Sequence, residues 1–206
     1  NMEQAVADLE DSLKLFERLK DQTGIAYVTG ELGIVYYYQN QFDKAIANYQ
    51  RALSLCEARH DVRGAMIGHF NVGDILLQEE QFELAEKELQ LAWEIARKRK
   101  LVIAEIRAGL YLMETKIALS RLDHAEEGLN NLTTLIASQD APCFSGQELV
   151  LRASLHWKRD KFEQARECFD SALILLQNDN CQYERARAYL AFGNFLKDQG
   201  QIDKAQ

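Results

Sequence analysis

The stretch Gln41-Phe42-Asp43-Lys44-Ala45 returns along the chain at a fixed interval of forty residues. A period of about 20–50 residues is typical of repeat proteins, in which each unit buries its apolar face only against its neighbours. The chain is therefore predicted to be an array of one repeated supersecondary unit. The later copies are Gln81-Phe82-Glu83-Leu84-Ala85, Arg121-Leu122-Asp123-His124-Ala125, Lys161-Phe162-Glu163-Gln164-Ala165 and Gln201-Ile202-Asp203-Lys204-Ala205.

Each repeat is predicted to be a pair of helices. Ala45, Tyr49 and Ala52 fall at offsets i, i+4 and i+7, which place them on one stripe of an α-helix. Asp21 and Asp61 precede the other helix of a pair, where a carboxylate can accept hydrogen bonds from free backbone N–H groups. Helices are expected nearly throughout, because the single proline of the chain follows a predicted connection at 138–141.

The register of the repeat sets the expected boundaries. The first residues match the second half of a unit, and the last residues match the start of such a half. We therefore expect one array with a half-repeat at 1–20, and we expect the chain to be part of a longer protein. The complete repeats are expected at about 21–60, 61–100, 101–140 and 141–180, with a partial repeat at 181–206.

The spacing of large and small residues resembles that of the tetratricopeptide repeat. The longer period is similar to that of a forty-residue subclass found in Pins-type adaptors and bacterial regulatory proteins. The resemblance implies an all-α fold, a right-handed superhelical solenoid of antiparallel helix hairpins. The matching residues are Leu32-Gly33, Tyr36, Phe42, Ala45, Tyr49 and Ala52, then Val72-Gly73, Leu76, Phe82, Ala85, Leu89 and Ala92, and finally Phe192-Gly193, Leu196 and Ala205.

The third and fourth repeats depart from this pattern. Met113 replaces the small glycine, Lys116 the tyrosine and Leu132 the last alanine. Arg152 and His156 stand where leucine and tyrosine are expected. Helix packing in these two repeats is therefore expected to differ from that in the first two.

The charge and hydropathy of the chain argue against two classes of partner. The net charge is −8, and the densest basic run, at 97–100, has only four residues at a predicted helix end. Phosphate binding needs more clustered lysine and arginine, so a nucleic-acid partner is not expected. No run of roughly 18 apolar residues is present to span a bilayer, and no signal segment opens the chain. A soluble protein without a membrane partner is predicted.

The four cysteines suggest a reducing compartment. Cys56, Cys143, Cys168 and Cys181 form no C-x-x-C pair, and all but Cys143 lie within helical patterns. Such cysteines are typical of reduced, small apolar residues. The pattern predicts free thiols and a cytoplasmic location.

The residues that could carry chemistry are scattered. His60, His69, His124 and His156 form no ligand pair of the H-E-x-x-H kind, and no glycine-rich phosphate loop or G-x-S-x-G motif is present. The acidic pairs lie near turns or on polar helix faces. No catalytic residue, metal or cofactor is therefore predicted, and the chain is not expected to be an enzyme.

The resemblance places the candidate binding residues on the first helix of each repeat, which lines the concave groove in such arrays. The strip is mixed aromatic and polar, and Tyr, Trp and Arg are the types that dominate binding hot spots. For any single aromatic, packing between helices is the alternative role. The predicted groove residues are Tyr27, Ile34, Tyr38, Phe70, Asn71, Asp74, Arg107, Tyr111, Glu114, Trp157, Lys158 and Asn194.

One known use of the repeat does not fit this groove. Chaperone-binding members grip a terminal carboxylate with lysine, arginine and asparagine side chains. The matching positions here hold Gly30, Ile34, Asn71, Arg107 and Tyr111, which supply too few cations and amides for that grip.

The sequence therefore predicts a protein–protein interaction scaffold. The expected ligand is a peptide or protein segment held in the concave groove. The chain is expected to be the regulatory or sensing part of a larger signalling protein. The alternative is a self-association module, a homo-oligomer that stacks through the open ends of the array.

Overall fold

The computed structural model describes residues 2–200, with Asp179 described by its backbone alone. Within that range the chain folds into ten α-helices and one short 3-10 helix, without a β-strand. The starts of α2, α4, α6, α8 and α10 are forty residues apart, which confirms the predicted period and the all-α class. The motif at 201–205 lies outside the described residues. The helices are α1 (Met2–Leu19), α2 (Gln22–Tyr38), α3 (Phe42–Ala58), α4 (Val62–Gln78), α5 (Phe82–Lys98), α6 (Val102–Ala118), α7 (Leu122–Ala137), α8 (Pro142–Lys158), α9 (Phe162–Leu175), the 3-10 helix (Asp179–Cys181) and α10 (Gln182–Asp198).

The predicted helix starts are confirmed by their caps. The Asp21 carboxylate accepts hydrogen bonds from the backbone N–H groups of Thr23 and Gly24, at 2.9 and 3.2 Å. Asp61 accepts one from Gly64 at 3.0 Å in the same position of the next repeat. Pro142 is the first residue of α8, where its missing N–H would have no helical partner.

A left-handed residue follows the end of each helix from α1 to α8. At Asn40 the φ angle is 56°, and the N–H of Gln41 donates to the carbonyl of Tyr36 at 2.9 Å. This closing pattern satisfies helix-end carbonyls and is usually built with glycine, which adopts positive φ without strain. Here side chains occupy eight such places: Lys20, Asn40, His60, Glu80, Lys100, Ser120, Asp140 and Asp160.

We expect Glu80→Gly to raise the free energy of unfolding by about 0.5–1 kcal/mol, because a left-handed conformation costs about 1–2 kcal/mol for a residue with a Cβ atom and the mobile unfolded glycine offsets part of the gain. Urea unfolding measures the change. The control Lys87→Gly, at an exposed position within α5, should lower the same quantity by about 1 kcal/mol. Losses of equal size at both positions would contradict the assigned role of Glu80.

The described residues form two compact units: unit 1 extends to Leu101, and unit 2 begins at Val102. The division follows Leu101, one residue beyond the boundary expected between the repeats at about 61–100 and 101–140. In unit 1, α1 packs on α2, α3 lies against both α2 and α4, and α4 forms a hairpin with α5. In unit 2, α6 packs on α7 and α8, α8 forms a hairpin with α9, and α10 lies on both α8 and α9.

In unit 1 each hairpin is closed by a glycine facing a large side chain, as the sequence pattern predicts. A Cβ atom on Gly33 would lie 2.5 Å from the Tyr49 ring, and one on Gly73 would lie 2.7 Å from Cγ of Leu89. Both facing side chains are buried. The missing side chain therefore lets the two helices of a hairpin approach closely.

In unit 2 the residues that depart from the pattern are accommodated in two ways, by large and small side chains that exchange places and by hydrogen bonds. Met113, on α6, is buried, and its sulfur lies against Gly128 on α7. The glycine of this contact is therefore on the second helix of the hairpin, whereas in unit 1 it is on the first. Leu132 is also buried. Arg152 donates hydrogen bonds to Glu148 and Thr133, both at 2.9 Å. The Arg152 guanidinium thus has hydrogen-bond partners on both α7 and α8.

The prediction of four free thiols is wrong for two of them. Cys143, in the first turn of α8, forms a disulfide with Cys181, at the end of the 3-10 helix. The partners are 38 residues apart, and the α8–α9 hairpin brings their Cα atoms to 5.3 Å, which pairwise sequence spacing did not indicate. Cys56 and Cys168 are free, and burial raises the pKa of both thiols. The cysteines therefore no longer support a cytoplasmic location.

Candidate functional site

One face of α2 and one face of α4 remain outside the hairpin packing of unit 1. On α2 this face carries Tyr27, Gly30 and Ile34, at the i, i+3 and i+7 spacing of one helical stripe. On α4 it carries Ile67 and Asn71, at i and i+4. The opposite faces of both helices contain the buried residues that hold the hairpins together. The sequence thus divides each first helix into a packing side and an open side.

Between these open faces lies a cleft of about 330 Å³, here called the α2–α4 cleft. Its floor is α3, through Tyr49, Ala52 and Cys56, which are buried. Its two walls are the open faces of α2 and α4. The large apolar side chains at its mouth are exposed: Tyr27 by 67%, Ile34 by 37% and Ile67 by 47%. Unit 1 therefore presents an apolar hollow with an apolar rim.

Gly30 leaves the wall of this cleft open. A Cβ atom built on it would meet no heavy atom within 4 Å, in contrast to the glycines that close the hairpins. Glycine within a helix costs about 1 kcal/mol relative to alanine. No atom of the described chain packs at this position, so the space beside Gly30 is left unfilled.

The charged groups of the cleft are few. Glu31 stands half-buried in the α2 wall, and Arg59 and Asp61 line the end near the start of α4. Burial raises the pKa of the Tyr49 hydroxyl, and the negative charges of Asp74 and Glu31 raise it further. The carboxylates of Asp74 and Glu31 therefore oppose ionisation of the Tyr49 hydroxyl at the floor of the cleft.

A hydrogen-bonded group closes the other end of the same face. The Tyr37 hydroxyl donates to Asp74 at 3.4 Å and accepts from the Gln78 amide at 2.6 Å, which ties α2 to α4. The Tyr38 ring is exposed and meets Tyr37 edge to face, with 5.5 Å between centroids. Phe70 is half-buried. Of the residues predicted in unit 1, the cleft itself brings together Tyr27, Ile34 and Asn71.

In unit 2 the predicted anchor Tyr111 is buried, with 8% of its surface exposed. The guanidinium of Arg187 covers its ring at 5.2 Å from the centroid, and the same guanidinium pairs with the carboxylate of Glu114. Burial lowers the pKa of Arg187, but the charge and hydrogen bond of Glu114 contribute to an opposing rise, and the pKa is raised overall. For Tyr111, the alternative of intramolecular packing describes the structure better than an exposed anchor.

The remaining predicted residues of unit 2 are dispersed. The indole N–H of Trp157 donates to Asp198 at 2.9 Å, and the ring packs edge to face on Phe195. Asn194 is exposed beside Trp157 at a shallow hollow. Arg107 and Lys158 are exposed. These side chains do not converge on one closed hollow as those of unit 1 do.

Sequence reasoning missed two features of the cleft. Ile67 was not among the predicted groove residues, although its exposure on α4 completes the rim. Glu31 was also absent from them. Both belong to the stripes already defined by Tyr27 and Asn71, at four residues from each, so helical spacing could have indicated them.

Two further kinds of feature are absent from residues 2–200. No group of three or more His, Cys, Asp and Glu side chains in this range is placed to hold a metal ion. No helix in it is both long and apolar enough to cross a membrane.

Comparison with known protein families gives one match. The family model described as tetratricopeptide repeat matches residues 1–58, which span α1, α2 and α3. No curated protein matches the sequence.

Solved structures share the fold over most of the chain. RapI in its apo form aligns with a TM-score of 0.80 at 12% identity, covering 100% of this chain and 88% of that one. BtubC (BKLC) from P. vanneervenii aligns with a TM-score of 0.74 at 15% identity, covering 100% of this chain and 87% of that one. A Rap protein complexed with competence and sporulation factor aligns with a TM-score of 0.74 at 16% identity, covering 89% of this chain and 51% of that one. At these identities the likeness shows a common fold of helix hairpins.

Proposed function

We propose that the chain is a non-catalytic scaffold of tetratricopeptide-like repeats that binds a protein or peptide segment in the α2–α4 cleft. Arrays of this kind use the surface formed by successive repeats for binding. In this chain the exposed apolar rim around the cleft is the observation that supports the choice of site. Covering Tyr27, Ile34 and Ile67 would remove apolar surface from water, which is favourable by about 25 cal/mol per Å².

The size and chemistry of the cleft favour a side chain of a partner over a cofactor. A volume of about 330 Å³ is at the lower end of the range for small-molecule sites. The lining supplies only a few polar groups, among them Glu31, Asn71 and Thr23. Such a hollow can hold one or two apolar side chains of a segment whose backbone lies across α2 and α4.

We further propose that binding at the cleft is the input of a sensing module within a larger signalling protein. The other candidate surface, in unit 2, is occupied by its own side chains, since Arg187 covers Tyr111 and pairs with Glu114. Unit 1 therefore offers the open site. A Rap structure of the same fold holds competence and sporulation factor, which is compatible with a sensing role for this fold.

We expect Gly30→Trp to reduce capture of the partner at least tenfold, because the indole would fill the cleft while no atom of the chain opposes a side chain at that position. Affinity capture with quantitative mass spectrometry measures the loss. The control Lys87→Trp places the same side chain at an exposed site on α5 and should leave capture unchanged. Circular dichroism confirms equal folding of the three proteins.

Partners retained unchanged by Gly30→Trp would contradict binding in the cleft. They would favour a second candidate function, self-association. Large apolar side chains on α9 and α10 are exposed, notably Ile174, Tyr189 and Leu190, and they could pack against another copy of the chain. Sedimentation equilibrium then decides, since self-association requires a mass that rises with protein concentration.

A further inference from the structure

Glu31 is the sole charged residue of α2, and it lies in the wall of the α2–α4 cleft. Its side chain is half-buried among Tyr27, Ile34 and Asn71. Within residues 2–200 it forms no hydrogen bond or ion pair. A half-buried carboxylate in an apolar hollow is thus left without a partner from the chain itself.

The nearest basic side chain of the cleft lies at its other end. Arg59 follows the end of α3 and lines the cleft beside Asp61, and the charges of both act on the Cys56 thiol at the floor. Asp74, on α4, does not line the cleft and is hydrogen-bonded to Tyr37 and Gln78. Glu31 is therefore the one charged side chain on the α2 wall, and the single arginine of the lining lies beside Asp61 at the end where α4 begins.

A ligand that only filled the hollow would bury this carboxylate further without pairing it. Leaving a charged group buried and unsatisfied costs more than leaving a neutral one, because its hydration is lost without replacement. A ligand with a cation beside its apolar side chain avoids that loss and gains a charge-assisted hydrogen bond. An acidic ligand would be repelled by the Glu31 carboxylate.

We infer that the segment bound by this cleft carries an aliphatic or aromatic side chain that fills the hollow beside Gly30, next to a lysine or arginine that pairs with Glu31. This inference rests on the proposed function, since it specifies the chemistry of the partner at the same site. It makes Glu31 the residue that determines specificity and the apolar rim the source of affinity.

A displayed library of random heptapeptides tests the inference directly. The library is selected on immobilised wild type, on Glu31→Lys and on Glu94→Lys, which makes the same charge change at an exposed site of α5 outside the cleft. We expect wild type and Glu94→Lys to enrich an apolar residue within two positions of Lys or Arg. Glu31→Lys should enrich Asp or Glu in place of the base.

The most enriched heptapeptide, labelled with a fluorophore, then gives affinities by fluorescence anisotropy. Glu31→Gln should weaken binding about tenfold, which corresponds to loss of one charge-assisted pair of about 1.4 kcal/mol. Replacing the basic residue of the peptide by alanine should have a similar effect on wild type and a much smaller effect on Glu31→Gln. That non-additivity identifies the two groups as partners.

Two outcomes separate failure of the inference from failure of the proposed function. Peptides that lose binding on Gly30→Trp but show no preference for Lys or Arg would leave the proposed function standing and overturn the inference. No enrichment on wild type, or enrichment that survives Gly30→Trp, would overturn both.

Discussion

Replacing Cys143 and Cys181 together by alanine is expected to lower the free energy of unfolding of unit 2 by about 4 kcal/mol at 25 °C. The disulfide closes a loop across a sequence separation of 38, and cross-linking a loop of that length restricts the unfolded chain by this amount in the chain-entropy treatment. Cys181 is fully buried with Leu176 and Ala188, so local packing is lost as well. Such a loss is a large fraction of the stability of an ordinary domain.

Intrinsic fluorescence can follow each unit separately, because Trp93 lies in unit 1 and Trp157 in unit 2. In a Trp93→Phe background, urea unfolding reported by Trp157 should shift to lower concentration in the double alanine variant. A reducing agent should produce a comparable shift in the parent and no further shift in that variant. Equal midpoints for oxidised parent and variant would show that the bond does not stabilise unit 2.

Local signals made the helices of this chain predictable. Asp21 and Asp61 mark helix starts through hydrogen bonds to nearby N–H groups, and Pro142 marks another through its missing donor. Each signal acts within a few residues of chain, and the aspartate cap occurs at the same place in two successive repeats. Agreement between repeats therefore fixed the register without any knowledge of long-range contacts.

The candidate site was predictable only in part, because the exposure of its side chains depends on contacts between residues far apart in the sequence. Helical spacing placed Tyr27, Ile34 and Asn71 on open faces, and all three line the cleft. The covering of Tyr111 depends on Arg187, which lies two repeats further along the chain. Nothing local indicates that such a side chain will reach a neighbour in another repeat. Aromatic residues at equivalent positions thus differ in exposure because of contacts that the repeat pattern does not contain.

The pairing of volumes across each hairpin explains why the irregular repeats keep the same fold. A small residue faces a large one in each case, Gly73 facing Leu89 and Ala153 packing with Phe169. In the third repeat the order is reversed, with Met113 facing Gly128. The sum of the two volumes matters more than the residue at either position, since interiors tolerate exchanges that keep total volume. A consensus that scores positions singly reads this exchange as a defect.

We expect Gly73→Leu to lower the free energy of unfolding of unit 1 by about 3 kcal/mol or more, because overpacking of a closed contact forces backbone shifts. A Cβ atom at this position would lie 2.7 Å from Cγ of Leu89 and 3.2 Å from its backbone nitrogen, and the backbone cannot rotate away. Urea unfolding followed by Trp93 fluorescence measures the loss. In the double variant Gly73→Leu, Leu89→Ala, the loss of unfolding free energy should be smaller than the sum of the two single losses by at least about 1 kcal/mol. The reason is that the space vacated by Leu89 receives the new leucine side chain.

Gly30→Leu is the matched control, with the same substitution on the open face of a first helix of the same unit. No atom lies within 4 Å of a Cβ there, so the gain in helix propensity should raise stability by up to about 1 kcal/mol. The change in the free energy of unfolding on Gly→Leu should then have opposite signs at positions 73 and 30, although both glycines occupy helix interiors in equivalent hairpins. Equal destabilisation at both would mean that the wall of the α2–α4 cleft is closed in solution, and the open site proposed for unit 1 would lose its structural basis.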